Sequence, residues 1–488
     1  MTSNRLLQGL RGALAGLTFF VAAASTQAAT IKIVNGDDPN VGFNDPTPAL
    51  PVGGNAGTTV GEQRRNVYAF VADFWGKRLN SDVPIQVLAF FPELFCTSSQ
   101  AVLGAAGATY IFSDFPNAKR AGTWYPVALA NKLTGVPLVD DPDPFVSADI
   151  ISFFNPNLGK PGCLDGRFFY LGLDGKPSAT EVDFLTTVLH EVGHGLGFQT
   201  FTDGETGLQQ PVDDTDTVGL PSIWDHLLLD PRQSKTWDKM TDAERAASAL
   251  VPRNLVWNGR NVTRNAPRVL DRGTPELFVA GKGLASFFQI GLAAFGPQID
   301  KHTFVSAELA HVVDQADGRG LACVALDATN AKAVKGRVAV IDRGTCAFTV
   351  KVKNAQLAGA KAVIIADNTL SLPPPGLSGV DDTITIPTVR VSLPDGIAIK
   401  AAIAATTKPS FAPFAVLFDN PLKLAGADYL NRVYMFSPNP YQGGSSISHY
   451  DPLATPSLLM EPFVTPNQPI AVSAPLDLTL ELLKDIGW

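Results

Sequence analysis

HEVGHGLGFQT, residues 190–200, is the stretch on which the reading of this chain turns. On an α-helix, positions i and i+4 stand one above the other, so His190 and His194 can aim two imidazoles at one metal ion. Glu191 lies one step round the cylinder, placed to hold a metal-bound water without being a ligand itself. The preceding run DFLTTVL gives the helix an apolar face to bury, and Gly197 can adopt the positive φ that ends a helix and reverses the chain. Zinc held this way lowers the pKa of a bound water to about 7 and polarises a carbonyl, while a glutamate takes the proton and passes it to the leaving amine. The expected chemistry is amide hydrolysis.

Two imidazoles are too few. HEVGHGLGF resembles the zinc helix and glycine turn of the metzincin proteases, whose third histidine usually lies three residues beyond the glycine. Here that place is Thr200, a poor neutral ligand, so the third donor must come from farther along the chain. Of the six histidines, His226 in SIWDHLLLD reads as a packing or surface residue, and His302 and His311 lie near the start of a separate module. His449, in GGSSISHYDPLATPSLLMEPF, is followed eleven residues later by Met460. That pairing is similar to leishmanolysin, a metzincin family in which an insertion separates the glycine turn from the third histidine. The resemblance implies one catalytic zinc ion held by His190, His194 and His449, with a fourth position open for water. It implies Glu191 as general base and Met460 as an apolar floor beneath the metal. Tyr450 reads as a packing residue. A gluzincin arrangement would draw its ligand from Glu205 or Glu244, but neither stands in a second helical motif, and that reading leaves residues 449–460 unexplained.

Outward from the helix, the chain has 488 residues, 45% of them hydrophobic, which is too long for one ordinary domain. TTVGEQRRNVYAFVADFWGKRLN carries apolar residues at three- and four-residue spacing and predicts an amphipathic helix. Strands are expected at 84–91, 108–112 and 148–154, giving an α+β order. Residues 201–290 fall into no motif, although MTDAERAASAL reads as a helix. From 295 to 412 the texture changes to alternating strands and helices, RVAVI, VKVKNAQLAGA and AVIIAD among them. LACVALDATNAKAVKGRVAVIDRGTCAFTVKVKNAQLAGAKAVIIADN resembles the protease-associated (PA) domain, a non-catalytic module often inserted in peptidases. The fold class expected is therefore an α+β metzincin-like zinc protease domain, residues 29–294 and 413–488, interrupted by an α/β PA domain at 295–412.

The first residues set Arg5 and Arg11 before an apolar run from Ala13 to Ala24 and then small residues, which reads as a secretory signal over 1–28. A secreted protein, extracellular or periplasmic and off the membrane once the signal is removed, is expected. Cys96, Cys163, Cys323 and Cys346 are then candidates for two disulfides paired within each half, with three connectivities formally open. The PA resemblance implies Cys323 with Cys346, and so leaves Cys96 to Cys163. With 38 Lys and Arg against 46 Asp and Glu, net charge −8, and no long run of either sign, nucleic acid is not an expected partner. The expected function is a secreted zinc metalloendopeptidase acting on proteins and peptides. Its rival from another class is a catalytically inactive zinc- or protein-binding protein that uses the PA domain to hold a partner.

Overall fold

The computed structural model describes residues 28–313, 320–406, 412–465 and 468–488. The expected signal segment lies outside them except for Ala28. Among the described residues, no helix is long and apolar enough to cross a membrane.

The body begins with β1 (Ile31–Asn35) and the amphipathic helix α1 (Val60–Gly76), followed by β2 (Ile85–Phe90), β3 (Gly104–Ala108) and β4 (Ile150–Phe154). Thr59 and Glu62 close a capping box at the start of α1, satisfying backbone amides that would otherwise lack partners. The four strands form one sheet in the order β1-β2-β4-β3, parallel except for β3, which runs antiparallel at one edge. The strand expected at 108–112 is displaced. Its main part is Gly104–Ala108, leaving only a two-residue strand at Ile111–Phe112. GAAGA lacks the branched and aromatic residues that mark a strand. Small residues are required there, since a Cβ on Gly104 would meet the Phe154 ring at 2.8 Å.

Across the sheet lies α2 (Phe184–Gly195), with Phe184, Leu185, Val188, Leu189 and Val192 buried beside Val67, Val71 and Trp75 of α1. Asp183 caps α2 by accepting from the Thr186 amide. The chain's last helix, α3 (Thr479–Ile486), joins the same core, which draws on residues before 271 and after 423 and takes nothing from the stretch between.

That intervening stretch has its own sheet of eight strands. Four of them are parallel neighbours, Phe304–His311, Val338–Asp342, Ala362–Ala366 and Thr388–Val391, as the alternating sequence texture suggests. The module is wider than 295–412. The hairpin Pro275–Gly281 with Leu284–Phe288, and the returning strand Phe414–Asp419, complete the same sheet. Pro275 pairs with Asp419, so the chain enters and leaves the module side by side. Disulfides join Cys96 to Cys163 in the body and Cys323 to Cys346 in the module.

Candidate metal centre

The helix α2 ends at Gly195, and Gly197 takes φ +116°, a conformation that L side chains rarely adopt. A side chain there would also strike Ile486 and Pro126 at 2.9 and 3.0 Å. The turn carries the Phe198 carbonyl back over the helix end, 2.8 Å from Nδ1 of His194. A carbonyl oxygen can only accept, so His194 carries its proton on Nδ1 and presents a bare Nε2.

The same arrangement recurs at the other two histidines. Nδ1 of His190 donates to the Leu459 carbonyl at 2.7 Å, and Nδ1 of His449 donates to the Ser445 carbonyl at 2.8 Å. Three Nε2 lone pairs therefore face one another, at 3.1 Å between His190 and His449, 3.1 Å between His194 and His190, and 3.2 Å between His194 and His449. Three acceptors at this distance have no hydrogen to share and repel unless a cation lies among them. Donors about 2.0–2.1 Å from a tetrahedral zinc ion stand roughly 3.3 Å apart, close to the spacing here. These three histidines are the one group with metal-ligand geometry among the described residues. Burial, first of all, holds all three imidazoles neutral: His190 is pushed down to about 4, His194 to about 3 with His190 beside it adding to the effect, and His449 well below the usual range. Neutral imidazole is the ligating form.

Met460 is fully buried beneath the helix, and a Cβ on Gly193 would sit 3.0 Å from its sulfur, so glycine is what lets the methionine approach. Glu191 is also buried, with Oε2 lacking a hydrogen-bond partner inside the protein. Burial pushes its carboxyl up to about 8, against the opposing pull of the Ala106 amide. The histidines and Glu191 open on a cavity of about 700 Å³ lined also by residues of the edge strand β3 and by Tyr441, Gln199 and Gln468.

The remaining candidates sit elsewhere. His226 is held between Thr123 and Asp238, His302 is exposed on the module, and His311 lies beside Asp342 there. Glu244 is engaged with Lys235 and with the cap of its own helix, and Glu205 is exposed. Tyr450 is buried, its hydroxyl donating to the Leu478 carbonyl. Thr200 donates to Asp225, a residue that no motif in the chain points to. Tyr441, Gln199 and Gln468 carry no spacing signal and are found at the cavity only through the fold.

Residues 305–399 match the sequence model of the PA domain. The inserted module is a PA domain. Aminopeptidase YwaD of Bacillus subtilis is 46% identical over 76 residues, 15% of this chain and 16% of the relative. Vacuolar-sorting receptor 2 of Arabidopsis thaliana is 45% identical over 73 residues, 13% of this chain and 12% of the relative. The chain thus spans well under a fifth of the length of these relatives. Among solved structures, the zinc aminopeptidase BSAP from B. subtilis is 25% identical, with a TM-score of 0.21 over 33% of this chain and 36% of that one. The psychrophilic subtilisin-like protease Apa1 of Pseudoalteromonas sp. AS-11 is 14% identical, with a TM-score of 0.22 over 36% and 37%. The protein is a mixed α/β chain carrying a PA domain.

Proposed function

We propose that this chain is a secreted zinc metalloendopeptidase of metzincin type, resembling leishmanolysin in its split ligand set, with one zinc ion bound by His190, His194 and His449. The observation that carries the reading is the convergence of three Nε2 lone pairs, each fixed by a carbonyl on the far ring nitrogen. When bound, zinc supplies Lewis acidity to a water and to the scissile carbonyl. The chain's own residues do the rest. Glu191 takes a proton from the attacking water on its unpartnered Oε2 and returns it to the leaving amine. The carbonyls of Leu459, Phe198 and Ser445 hold the imidazoles in the ligating tautomer.

The edge strand β3 supports an extended peptide as substrate. Among the described residues it pairs only with β4, so its other edge has backbone groups to offer, and its residues line the cavity that holds the histidines and Glu191. A peptide laid along such an edge gains main-chain hydrogen bonds without regard to its ends, which favours internal cleavage.

An N-acetylated peptide library tests this directly, because an aminopeptidase needs the free amine that acetylation removes. Internal cleavage by the wild type, lost in Glu191→Gln with zinc retained, supports the endopeptidase. Cleavage of free peptides only from the N-terminus would replace it with an aminopeptidase. Zinc binding without cleavage of either would turn the assignment to the inactive binding protein.

A further inference from the structure

Thr200 occupies the place where a nearby histidine would have completed the site, and its surroundings show a role other than ligation. Its Oγ1 donates to Asp225 Oδ1 at 2.8 Å, Thr202 Oγ1 donates to Asp225 Oδ2 at 2.6 Å, and the Ser222 amide donates to the same oxygen at 2.7 Å. Asp225 is fully buried, so a carboxylate with three donors anchors the segment that leaves the glycine turn. From that anchored segment the Thr200 amide donates to Oγ of Ser448 at 3.2 Å, across a sequence gap of 248 residues. Ser448 immediately precedes His449.

The loop bearing His449 needs an external hold. Ile447, two residues before the histidine, has φ +74°, a region that β-branched residues avoid. Its side chain is fully buried, and its amide donates to the Phe436 carbonyl at 2.7 Å, so the strained conformation is fixed from several sides. The hydrogen bond from Thr200 ties this loop to the segment that carries the other two histidines, beside the edge-to-face contact of Phe198 with Tyr450.

We propose that Thr200 and Asp225 are positioning residues that set His449 against His190 and His194 through Ser448. The position where a nearby third histidine would stand thereby fixes the distant imidazole of His449. This inference rests on the zinc reading above and extends it.

The test is zinc affinity by competition with a chromophoric chelator, together with the visible spectrum of the cobalt-substituted protein, for wild type, Thr200→Val, Thr200→Ser and Ser448→Ala. Thr200→Val and Ser448→Ala are expected to bind zinc about 10–100-fold more weakly, as loss of groups that orient ligands commonly does. Thr200→Ser, which keeps the hydroxyl, should bind as wild type does, and the cobalt spectra of the two weakened variants should change in the region that reports coordination. A structural role alone would lower thermal stability and leave affinity and spectrum as they are, and that result would overturn the proposal. If Thr200→Val does not fold, Ser448→Ala carries the same test, since it removes only the acceptor beside the ligand. Absence of stoichiometric zinc in the wild type would instead strike the zinc reading itself, so the two failures are distinguishable.

Discussion

The chain enters and leaves the inserted module at neighbouring residues, Pro275 and Asp419, and module and body also meet at Gln289 with Pro252, Ile290 with Arg253 and Leu372 with Asn439, yet the two are organised in contrasting ways. In the module, one continuous run of chain supplies a sheet with its own apolar clusters on either side. In the body, the core and the candidate metal centre both require segments on either side of the module, and His194 meets His449 across 255 residues. A contiguous unit keeps its pattern legible along the sequence and can be recognised in unrelated hosts. A site assembled across an interruption leaves only its chemistry to follow.

If that contrast is right, damage in the body should silence the site, while damage in the module should largely spare it. The largest effect is expected from Glu191→Gln, which should lower kcat by about 10²–10⁴-fold while zinc content by atomic absorption stays at the wild-type level. Removing zinc with a chelator should abolish hydrolysis, and adding zinc back should restore it.

Met460→Ala comes next. It empties a fully buried position beneath the metal helix and should cost about 2–5 kcal/mol, read from chemical denaturation of the metal-free protein. A cost below about 0.5 kcal/mol would mean that Met460 is not the packed floor described here.

A smaller effect concerns Glu461, beside that methionine. Burial pushes its carboxyl up to about 8, the charges of Asp451 and Asp477 push the same way, and the Leu458 amide opposes them. The folded state therefore keeps a proton that the unfolded chain releases near pH 4.5. Between about pH 4.5 and 8 the native protein binds more protons, so this group's contribution to stability falls as pH rises through that window. Glu461→Gln mimics the protonated form and should flatten this part of the stability profile. An unchanged slope would count against the assignment.

The least effect on the site is expected from the largest change to the chain. Replacing residues 275–419 by a short glycine-containing turn should leave zinc affinity within a fewfold of wild type, because the flanking chain is already paired. The Ala425 amide donates to the Asp271 carbonyl, and the Gly273 amide donates to the Lys423 carbonyl. Loss of zinc in this variant would show that the module takes part in building the site.

Much of this was readable from sequence wherever physics imposes a fixed spacing. The helix 184–195 announces itself through histidines one turn apart and a glycine after them, and the module through strands and helices in regular alternation. His449 is legible only through its pairing with Met460, since nothing local separates it from His226 until the fold shows the latter held by Thr123 and Asp238. The edge strand was misplaced because GAAGA is shaped by close neighbours and not by strand propensity. Asp225 could not be found at all. Its donors Thr200, Thr202 and Ser222 all lie within 25 residues of it but follow no recognisable spacing, and the link from Thr200 to Ser448 that gives them a role forms only after the chain has returned from the module.

The central claim is that one metal site closes across the insertion. Equilibrium zinc binding to wild type and His449→Ala, measured side by side on the full chain, tests it most directly. The account predicts one zinc per wild-type chain and its loss in the variant under the same conditions. Equal stoichiometry and affinity in the two proteins would contradict it, because His190 and His194 would then be drawing their third ligand from elsewhere.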